Sequence, residues 1–274
     1  MKEVLYLSRS DVESLKISLR RVIEVVEYAF KEKGLGRVEM PPKPGVHSRK
    51  DSFIHAMPSY MSGIDYAGLK WIAGYSENRK KGLPYITGLF ILNDAETGLP
   101  IAIMDATWIT AYRTGAATAV AAKYLANPDS RVLAILGCGV QGRSNAECLK
   151  EVLKDLNEIR AFDIDPKAAE KYKAEMESKL GVKVTITNSP RDALENSDIA
   201  VTAGPILKDP KPVIKPEWFT GNLAVPLDFD SYWKPEAMKA MDKFITDDTN
   251  QLYYYKSIGY FKDIPEVYGT WVRL

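Results

Sequence analysis

The sequence has little of what secreted, metal-binding, membrane or nucleic-acid-binding proteins need. It has two cysteines and two histidines in 274 residues, which excludes a disulfide framework and leaves no zinc-site spacing. The 37 basic and 36 acidic residues leave a formal net charge of +1, so neither nucleic acid nor an anionic membrane is an expected partner. No long uncharged apolar run predicts a signal peptide or a transmembrane helix. We expect a cytoplasmic globular protein.

The first part of the chain predicts a mostly antiparallel sheet that carries helices. A helix is predicted over residues 11–33, with a capping box at residues 10–13 and Gly34 at its end. An alanine-rich helix is predicted over residues 107–125, and residues 93–98 predict a hairpin turn. The strands predicted between these helices are residues 53–57, 66–72, 86–93 and 99–104.

After Asn127-Pro128, predicted strands and helices alternate, which indicates a parallel sheet covered on both faces. The predicted strands are residues 132–136, 159–162, 182–186, 199–202, 223–227 and 244–246, and the predicted helices are residues 140–153, 166–179, 191–196 and 235–241. We therefore predict an α/β protein with an N-terminal α+β domain over residues 1–127. A Rossmann dinucleotide-binding domain is predicted over residues 128–274.

A glycine-rich turn joins the first strand and the first helix of the second domain. In this pattern the glycines allow a tight turn, close approach of a pyrophosphate and close helix–strand packing, and the helix N-terminus supplies amide donors. The next strand ends at Asp163, about 20 residues later, where a carboxylate receives ribose hydroxyls and repels a 2′-phosphate. Asp165 is predicted to cap the following helix. We predict NAD(H) rather than NADP(H), and the predicted contacts are Gly137, Gly139, Val140, Gln141, Gly142, Asp163 and Thr202.

Three cations are candidate substrate ligands. Lys70 lies inside an apolar strand, where a lysine is costly to bury unless it meets an anion. Arg113 lies near the start of a helix, where a cation gains nothing from the helix dipole, and Lys43 lies between prolines. An arginine fork matches a carboxylate, and a desolvated lysine can serve as a base. Two interpretations stay open: a carboxylate-binding site, or ion pairs with local acids such as Asp105 and Asp65.

Two acids, Asp228 and Asp230, follow the fifth predicted strand of the second domain. Because ligands bind at the carboxyl ends of parallel strands, both acids are expected near a nicotinamide ring. If the chain stays extended, the period of two places them on one side. The alternative is that one of them caps the next helix.

These residues resemble the ornithine cyclodeaminase/mu-crystallin family, which includes alanine dehydrogenases and ketimine reductases. The matching stretches, which are spread over almost the whole chain, are Met57-Pro58, Gly68–Trp71, Gly82–Pro84, Thr110–Thr114 with Ala122–Ala126, and Gly137–Gly142. The resemblance implies that the first domain holds the substrate and forms a homodimer. It also implies that Arg113, Lys70 and Lys43 gather an amino-acid carboxylate, and that Asp230 activates or orients the reacting amine.

The chain departs from the family pattern at four places. Lys43 stands where ornithine-converting members have arginine, so a bidentate contact becomes a point charge. His55 stands where those members carry an acid near the substrate, and we include it among the substrate contacts. The sequence before Asp230 differs from the family pattern, which leaves Asp228 as a rival. The sequence ends at Trp271–Leu274, whereas the family continues with elements that return to the first domain; we expect this return to be absent.

We expect an NAD-dependent oxidoreductase or deaminase that acts on a small L-amino acid or its imine. Lys70, perturbed by Arg113, would take a proton from the substrate ammonium while a hydride passes from Cα to the nicotinamide. Attack of water on the imine would give an alanine dehydrogenase-like reaction, and attack of a second substrate amine an ornithine cyclodeaminase-like one. The alternatives are a ketimine reductase and a non-catalytic, crystallin-like dinucleotide-binding protein.

Overall fold

A computed structural model describes residues 3–270 of the chain. The chain divides into two compact units, Met1–Thr110 and Ala111–Leu274. This division falls inside the helix Thr107–Leu125, whereas the predicted domain boundary follows that helix, at Asn127-Pro128. Trp271–Leu274, on which the expected absence of a C-terminal return rests, lie outside the described residues.

The first unit is built on a seven-stranded sheet. Its elements are β1 (Leu5–Leu7), α1 (Arg9–Ser14), α2 (Leu19–Gly34), β2 (Val38–Glu39), β3 (Gly45–Val46), β4 (Ser52–Met61), β5 (Tyr66–Tyr75), a 3₁₀ helix (Ser76–Lys81), β6 (Ile86–Asp94), β7 (Pro100–Asp105) and the start of α3 (Thr107–Leu125). The strands lie in the order β1-β7-β6-β5-β4-β2, and β3 also pairs with β4. The β1–β7 pair is parallel and the other pairs are antiparallel.

Local hydrogen bonds set the ends of these elements. The single helix predicted at the N-terminus is two helices, because Ser8 and Ser18 each cap a separate one and Lys16 between them has φ +48°. The capping box therefore lies at Ser8 and Asp11, two residues before the predicted position. The predicted hairpin turn is present, with the Asp94 carboxylate accepting from Thr97 N at 2.8 Å.

The second unit contains a five-stranded parallel sheet. Its elements are β8 (Val132–Leu136), α4 (Val140–Val152), β9 (Glu158–Phe162), α5 (Pro166–Leu180), β10 (Lys183–Ile186), α6 (Pro190–Leu194), β11 (Ile199–Thr202), a 3₁₀ helix (Pro216–Trp218), β12 (Leu223–Pro226), α7 (Pro235–Lys239), β13 (Ile245–Thr246), α8 (Thr249–Ser257) and β14 (Gly269–Thr270). The strand order β10-β9-β8-β11-β12 is that of a Rossmann fold. The predicted fold class is confirmed.

Alternate residues of the central strand β8 face two hydrophobic clusters. Leu133 and Ile135 point into one cluster, and Ala134 and Leu136 point into the other. Successive side chains of a strand point to opposite faces, so the continuous apolar run of β8 reflects burial on both sides. Each fully buried leucine or isoleucine contributes about 2 kcal/mol of hydrophobic stabilisation.

The end of the chain differs from the prediction. The predicted sixth strand, β13, pairs in parallel with β14 and not with the main sheet. Helix α8 was not predicted, since its sequence Thr249–Ser257 lacks helical apolar spacing; the Asp248 carboxylate caps it by accepting from Gln251 N at 2.8 Å. Within residues 3–270, no helix is long and apolar enough to cross a membrane. The cytoplasmic location stays a prediction.

Candidate functional site

The turn between β8 and α4 has a backbone that only glycine fits. Gly137 has φ +106°, and a Cβ there would lie 2.7 Å from Ala203 O. A Cβ on Gly142 would overlap the carbonyl oxygen of Gly137, so α4 packs directly on the turn. Gly139 is the N-cap residue of α4 and makes no side-chain capping hydrogen bond to the helix. The N-terminal turn of α4 thus offers amide donors and the positive end of the helix dipole to an anion.

Asp163, at the end of β9, holds this turn in place. Its Oδ2 accepts from Cys138 N at 2.7 Å, and its Oδ1 accepts from Asp165 N at 2.9 Å. A carboxylate has about four acceptor sites, so both oxygens keep capacity for ribose hydroxyls. Burial raises the pKa of the Cys138 thiol to about 12, which argues against a redox or nucleophilic role. Asp165 caps α5 by accepting from Lys167 N at 3.0 Å, as predicted.

The position of the turn in the sheet also fits a dinucleotide. The chain continues from β8 to β9 on one side and places β11 on the other, so the strand order reverses between β8 and β11. Open α/β sheets bind ligands at the carboxyl ends of the strands at such a point. The glycine turn, the helix N-terminus and Asp163 therefore form a cradle whose donors and acceptors match NAD(H).

Thr202 lies at the end of β11 and is fully buried. Its hydroxyl donates to Asp228 Oδ1 at 2.8 Å and accepts from Trp233 Nε1 at 3.3 Å. In this structure the Thr202 side chain belongs to a hydrogen-bond network beneath the strand ends. Its contact with the cofactor stays a prediction.

Asp228 and Asp230 do not lie on one side, because the chain turns at residues 227–230 and Phe229 has φ +62°. Asp228 is fully buried and also accepts from Gly204 N at 2.9 Å. Burial raises the pKa of Asp228 to about 7. Neither acid caps α7, whose N-cap residue is Lys234.

Asp230 lies in a cavity of the second unit. Its Oδ1 is buried and has no hydrogen-bond partner within residues 3–270. The side chains around it include Trp233, Pro235, Met238 and Lys262. A carboxylate oxygen that is buried without a donor is available to a ligand's N–H group. Asp228, by contrast, contacts Gly204 beside the glycine turn, so the choice between the two acids stays open and the role of Asp230 stays a prediction.

In the first unit, the strand register brings Lys70 and His55 to one face of the sheet. His55 on β4 pairs with Ile72 on β5, and Lys70 pairs with Met57. Residues opposite each other, and residues two apart on one strand, share a face, so His55 and Lys70 are diagonal neighbours. Both are buried. Their proximity could not be seen in the sequence, because they lie on different strands.

Lys43, His47, His55 and Lys70 form a cationic cluster. Burial, together with Lys43, His47 and Lys70, lowers the pKa of His55 to about 3. His55 is therefore neutral at neutral pH, and its ring stacks on Phe53 with 4.2 Å between centroids. No specific role of these residues is confirmed, but three of the predicted substrate contacts, Lys43, His55 and Lys70, lie together. His47 was missed by the sequence analysis, since it sits in a short loop with no pattern.

Arg113 belongs to the second unit, on the part of α3 that packs against α4. A Cβ on Gly115 would lie 2.8 Å from the carbonyl carbon of Ser144, so the two helices touch through backbone atoms. Tyr112 donates to Glu147 on α4 at 3.2 Å. Arg113 itself is exposed, and its guanidinium interacts electrostatically with the Asp247 carboxylate. The guanidinium stays charged at neutral pH.

The acids considered as local partners are used elsewhere. Asp105 accepts from Thr107 N at 2.8 Å and from the Thr107 hydroxyl at 3.0 Å. Asp65 accepts from the Tyr60 hydroxyl at 3.0 Å. The acid that acts electrostatically on Arg113 is Asp247, which lies more than 130 positions along the chain and gave no sequence signal.

Comparison with known proteins adds the family. The model of the ornithine cyclodeaminase/mu-crystallin family matches residues 2–225. Alanine dehydrogenase of Archaeoglobus fulgidus is 42% identical over 216 residues, which cover 79% of this chain and 64% of that protein. The chain thus spans less than two thirds of that relative's length.

Two solved structures extend over nearly all of this chain. Thermococcus litoralis Δ1-pyrroline-2-carboxylate reductase, in complex with NADH and L-proline, has a TM-score of 0.87 at 35% identity and covers 99% of this chain and 86% of its own. An archaeal alanine dehydrogenase dimer with bound NAD has a TM-score of 0.82 at 34% identity and covers 98% of this chain and 83% of its own. The family predicted from the sequence is confirmed: the chain belongs to the ornithine cyclodeaminase/mu-crystallin family.

Proposed function

We propose that this protein is an NAD(H)-dependent oxidoreductase that acts on a small L-amino acid or its imine. The observation that carries the proposal is the glycine cradle of the second unit, in which Gly137 and Gly142 let the turn and α4 pack closely beneath the helix N-terminus and Asp163 keeps acceptor capacity. The two solved relatives, which hold NADH and NAD, support the choice of cofactor. Two acids, Asp163 and Asp165, would repel the 2′-phosphate of NADP(H).

We assign the substrate carboxylate to Lys43, Lys70 and Arg113. A carboxylate gains most from charge-assisted hydrogen bonds, and the half-buried Lys43 and the buried Lys70 gain from an anion that neutralises them. His55 lies in the same cluster as a neutral ring, so it can donate or accept one hydrogen bond without adding charge. A substrate with one carboxylate and a short side chain fits this set.

In the proposed reaction, NAD supplies the acceptor for the hydride that leaves Cα of the amino acid. Lys70 takes the proton that the substrate ammonium must lose, so that the nitrogen lone pair forms the C=N bond of the imine. Asp230, with its buried Oδ1, holds the remaining N–H. In a dehydrogenase, water then attacks the imine carbon, and ammonia leaves as the keto acid forms. In a cyclodeaminase, a second substrate amine attacks the imine carbon, ammonia leaves, and the hydride returns to the ring imine.

The test is a screen of L-amino acids and cyclic imines with NAD(H) and NADP(H), followed at the absorbance of the reduced nicotinamide. We expect turnover with NAD(H) that is lost in Arg113→Ala and Lys70→Ala, while both variants still bind NADH. A dehydrogenase gives a net absorbance change and a cyclodeaminase gives none. Turnover that survives both substitutions contradicts the proposed site, and NADH binding without any turnover favours the crystallin-like alternative.

A ketimine reductase is the second candidate. It is favoured by the likeness to the Thermococcus litoralis reductase, which includes 99% of this chain. Reduction of a cyclic imine runs the same steps in reverse, and it needs no group for a distal amine. Oxidation of NADH with Δ1-pyrroline-2-carboxylate, without activity on L-alanine and NAD, would select this function.

We further propose that the first unit forms a homodimer through the apolar sheet face, defined as Tyr6, Leu69, Trp71, Leu89 and Ile91. The register puts these residues on the face opposite Lys70. Tyr6, Trp71 and Leu89 are 72%, 44% and 49% exposed. A contiguous apolar face of this kind marks an interaction surface, and an archaeal alanine dehydrogenase relative is a dimer.

The dimer is tested by light scattering coupled to size exclusion. We expect twice the 30.6 kDa chain mass for the wild type and the single chain mass for Trp71→Glu and Leu89→Glu. Tyr253→Glu, at an exposed aromatic residue of α8, is the matched control and should remain a dimer. A monomeric wild type would exclude this interface.

A further inference from the structure

We infer that Arg143 is a positioning residue for the dinucleotide, and that it acts by orienting two backbone amides of the glycine turn. The inference rests on the proposed function, since it concerns how that site is held ready for its cofactor. Arg143 is the first residue after the glycine motif and was not among the predicted contacts.

The Arg143 guanidinium reaches back over the turn that precedes its own helix. Its Nη1 donates to the carbonyl oxygen of Cys138 and, at 3.2 Å, to that of Gly139. Because a trans peptide is planar, the N–H of each unit points away from its C=O. The two carbonyls belong to the units that carry the N–H groups of Gly139 and Val140. Anchoring the carbonyls on one side therefore fixes these two N–H groups on the other.

Those N–H groups are the first two at the N-terminus of α4. They have no carbonyl partner within the helix, and in this fold they are the donors that face a pyrophosphate. Asp163 fixes the preceding amide, that of Cys138, at 2.7 Å. An acid on one side and Arg143 on the other thus hold three consecutive peptide units.

Arg143 is itself held from two directions. Its Nε donates to Glu175 Oε2 on α5 at 2.5 Å, and its guanidinium lies 5.4 Å from the centroid of the Tyr172 ring. The Tyr172 hydroxyl donates to Gly142 O at 3.3 Å. The Arg143 side chain keeps only 22% of its surface exposed. A cation in the first turns of a helix opposes the helix dipole, so helix stability does not explain this arrangement, whereas rigid donors for an anion do.

The inference predicts a loss of affinity that depends on the pyrophosphate. Dissociation constants of NADH, ADP-ribose and adenosine are measured for the wild type and for Arg143→Ala, by fluorescence for NADH and by calorimetry or ligand NMR for the others. We expect NADH and ADP-ribose to bind about tenfold more weakly, because preorganised donors are lost. Adenosine, which has no pyrophosphate, should change by less than about twofold.

Conservative variants separate geometry from charge. Arg143→Lys keeps the charge but lacks the planar fork that lets Nη1 bind the turn carbonyls while Nε binds Glu175, so it should stay within about twofold of Arg143→Ala. Glu175→Gln keeps Arg143 and removes one of its anchors, so a loss of about threefold is expected. Arg160→Ala is the matched control, since Arg160 also donates to a backbone carbonyl, that of Glu195, away from the turn. It should bind NADH like the wild type.

Three results would overturn the inference: unchanged ADP-ribose affinity in Arg143→Ala, an equal loss for adenosine, or full recovery in Arg143→Lys. Thermal melting of each variant shows whether it is folded, and if Arg143→Ala is not, Arg143→Lys and Glu175→Gln carry the same comparison. A wild type that binds neither NADH nor ADP-ribose would instead contradict the proposed function. The two failures are therefore distinguishable.

Discussion

The two candidate sites of this protein are built in opposite ways. The dinucleotide site of the second unit is made from one contiguous turn, and its chemistry comes from backbone amides and glycine conformation. The cationic cluster of the first unit is made from side chains that meet across strands and a loop. A backbone site tolerates almost no change of residue, whereas a side-chain site can be altered one residue at a time. The second kind is therefore the one that can vary with substrate.

This difference predicts that the largest single effect comes from the backbone site. In Gly142→Ala the new Cβ would overlap the Gly137 carbonyl, so α4 must move away from the turn. We expect NADH affinity to fall by about a hundredfold, because the amide donors are displaced. Gly181→Ala, at a helix end with open space around it, is the control; it should cost about 1 kcal/mol of stability and leave NADH affinity unchanged. Equal NADH affinity in both variants would break the comparison.

A second prediction concerns Asp228, the buried acid that follows β12 in the second unit. Its pKa is about 7 in the folded state and about 4 when unfolded. Between these values the folded state binds more protons, so the stabilising contribution is full below about pH 4 and is lost as the pH rises through 7. In Asp228→Asn this loss should disappear. From pH 4 to pH 8, the free energy of unfolding of the wild type should therefore fall by about 2–4 kcal/mol more than that of the variant.

Chemical denaturation at several pH values measures this difference. Asp228→Ala controls for packing and hydrogen bonds, since it removes the partners of Thr202 and Gly204 and should be less stable at every pH. Parallel pH profiles for Asp228→Asn and the wild type would contradict the prediction.

The cationic cluster should show the opposite dependence. The pKa of His55 is about 3 in the folded state and about 6.5 when unfolded. Between these values the unfolded state binds more protons, so the protein should lose stability as the pH falls from 6.5 towards 3, by up to about 4 kcal/mol. His55→Gln should flatten this part of the profile. His47→Gln, at an exposed histidine, should not, and a flat wild-type profile below pH 6 would refute the proposed environment of His55.

The smallest predicted effect concerns the separate contributions of Lys43 and Lys70 to the pKa of His55. Lys43 lowers the pKa of His55 more than Lys70 does, so Lys43→Met should raise it more than Lys70→Met, each by less than about one unit because burial remains the main cause. NMR titration of the His55 ring gives both values. The reverse order would show that Lys70 is closer to His55 in solution than the register suggests.

The elements of the second site can be located from the sequence, and those of the first only in part. The glycine motif and Asp163 could be found because backbone geometry requires those residue types at fixed spacing. The parallel sheet followed from the alternation of apolar strands and helices. Lys70 could be chosen because a lysine in an apolar strand is unusual, but its neighbours depend on register, which spacing along one strand does not give.

The failures have the same origin. The turn at Phe229, with φ +62°, separates Asp228 from Asp230, and no residue there carries a glycine-like signal for it. The pairing of β13 with β14 and the effect of Asp247 on Arg113 are long-range, so local patterns contain no trace of them. Residues that act through tertiary contacts are those that single-sequence reasoning misses.

The close backbone approach of Gly115 to Ser144 has a consequence for how substrate specificity can change in such an enzyme. Arg113, which is proposed above to bind the substrate carboxylate, lies two residues from Gly115 on the same helix, and the missing side chain at Gly115 allows the close approach of the two helices there. A methyl group at position 115 would push α3 outward and carry the guanidinium with it. Relatives that accept longer or shorter acids could thus diverge at a position that touches no ligand, by adjusting the spacing of two helices.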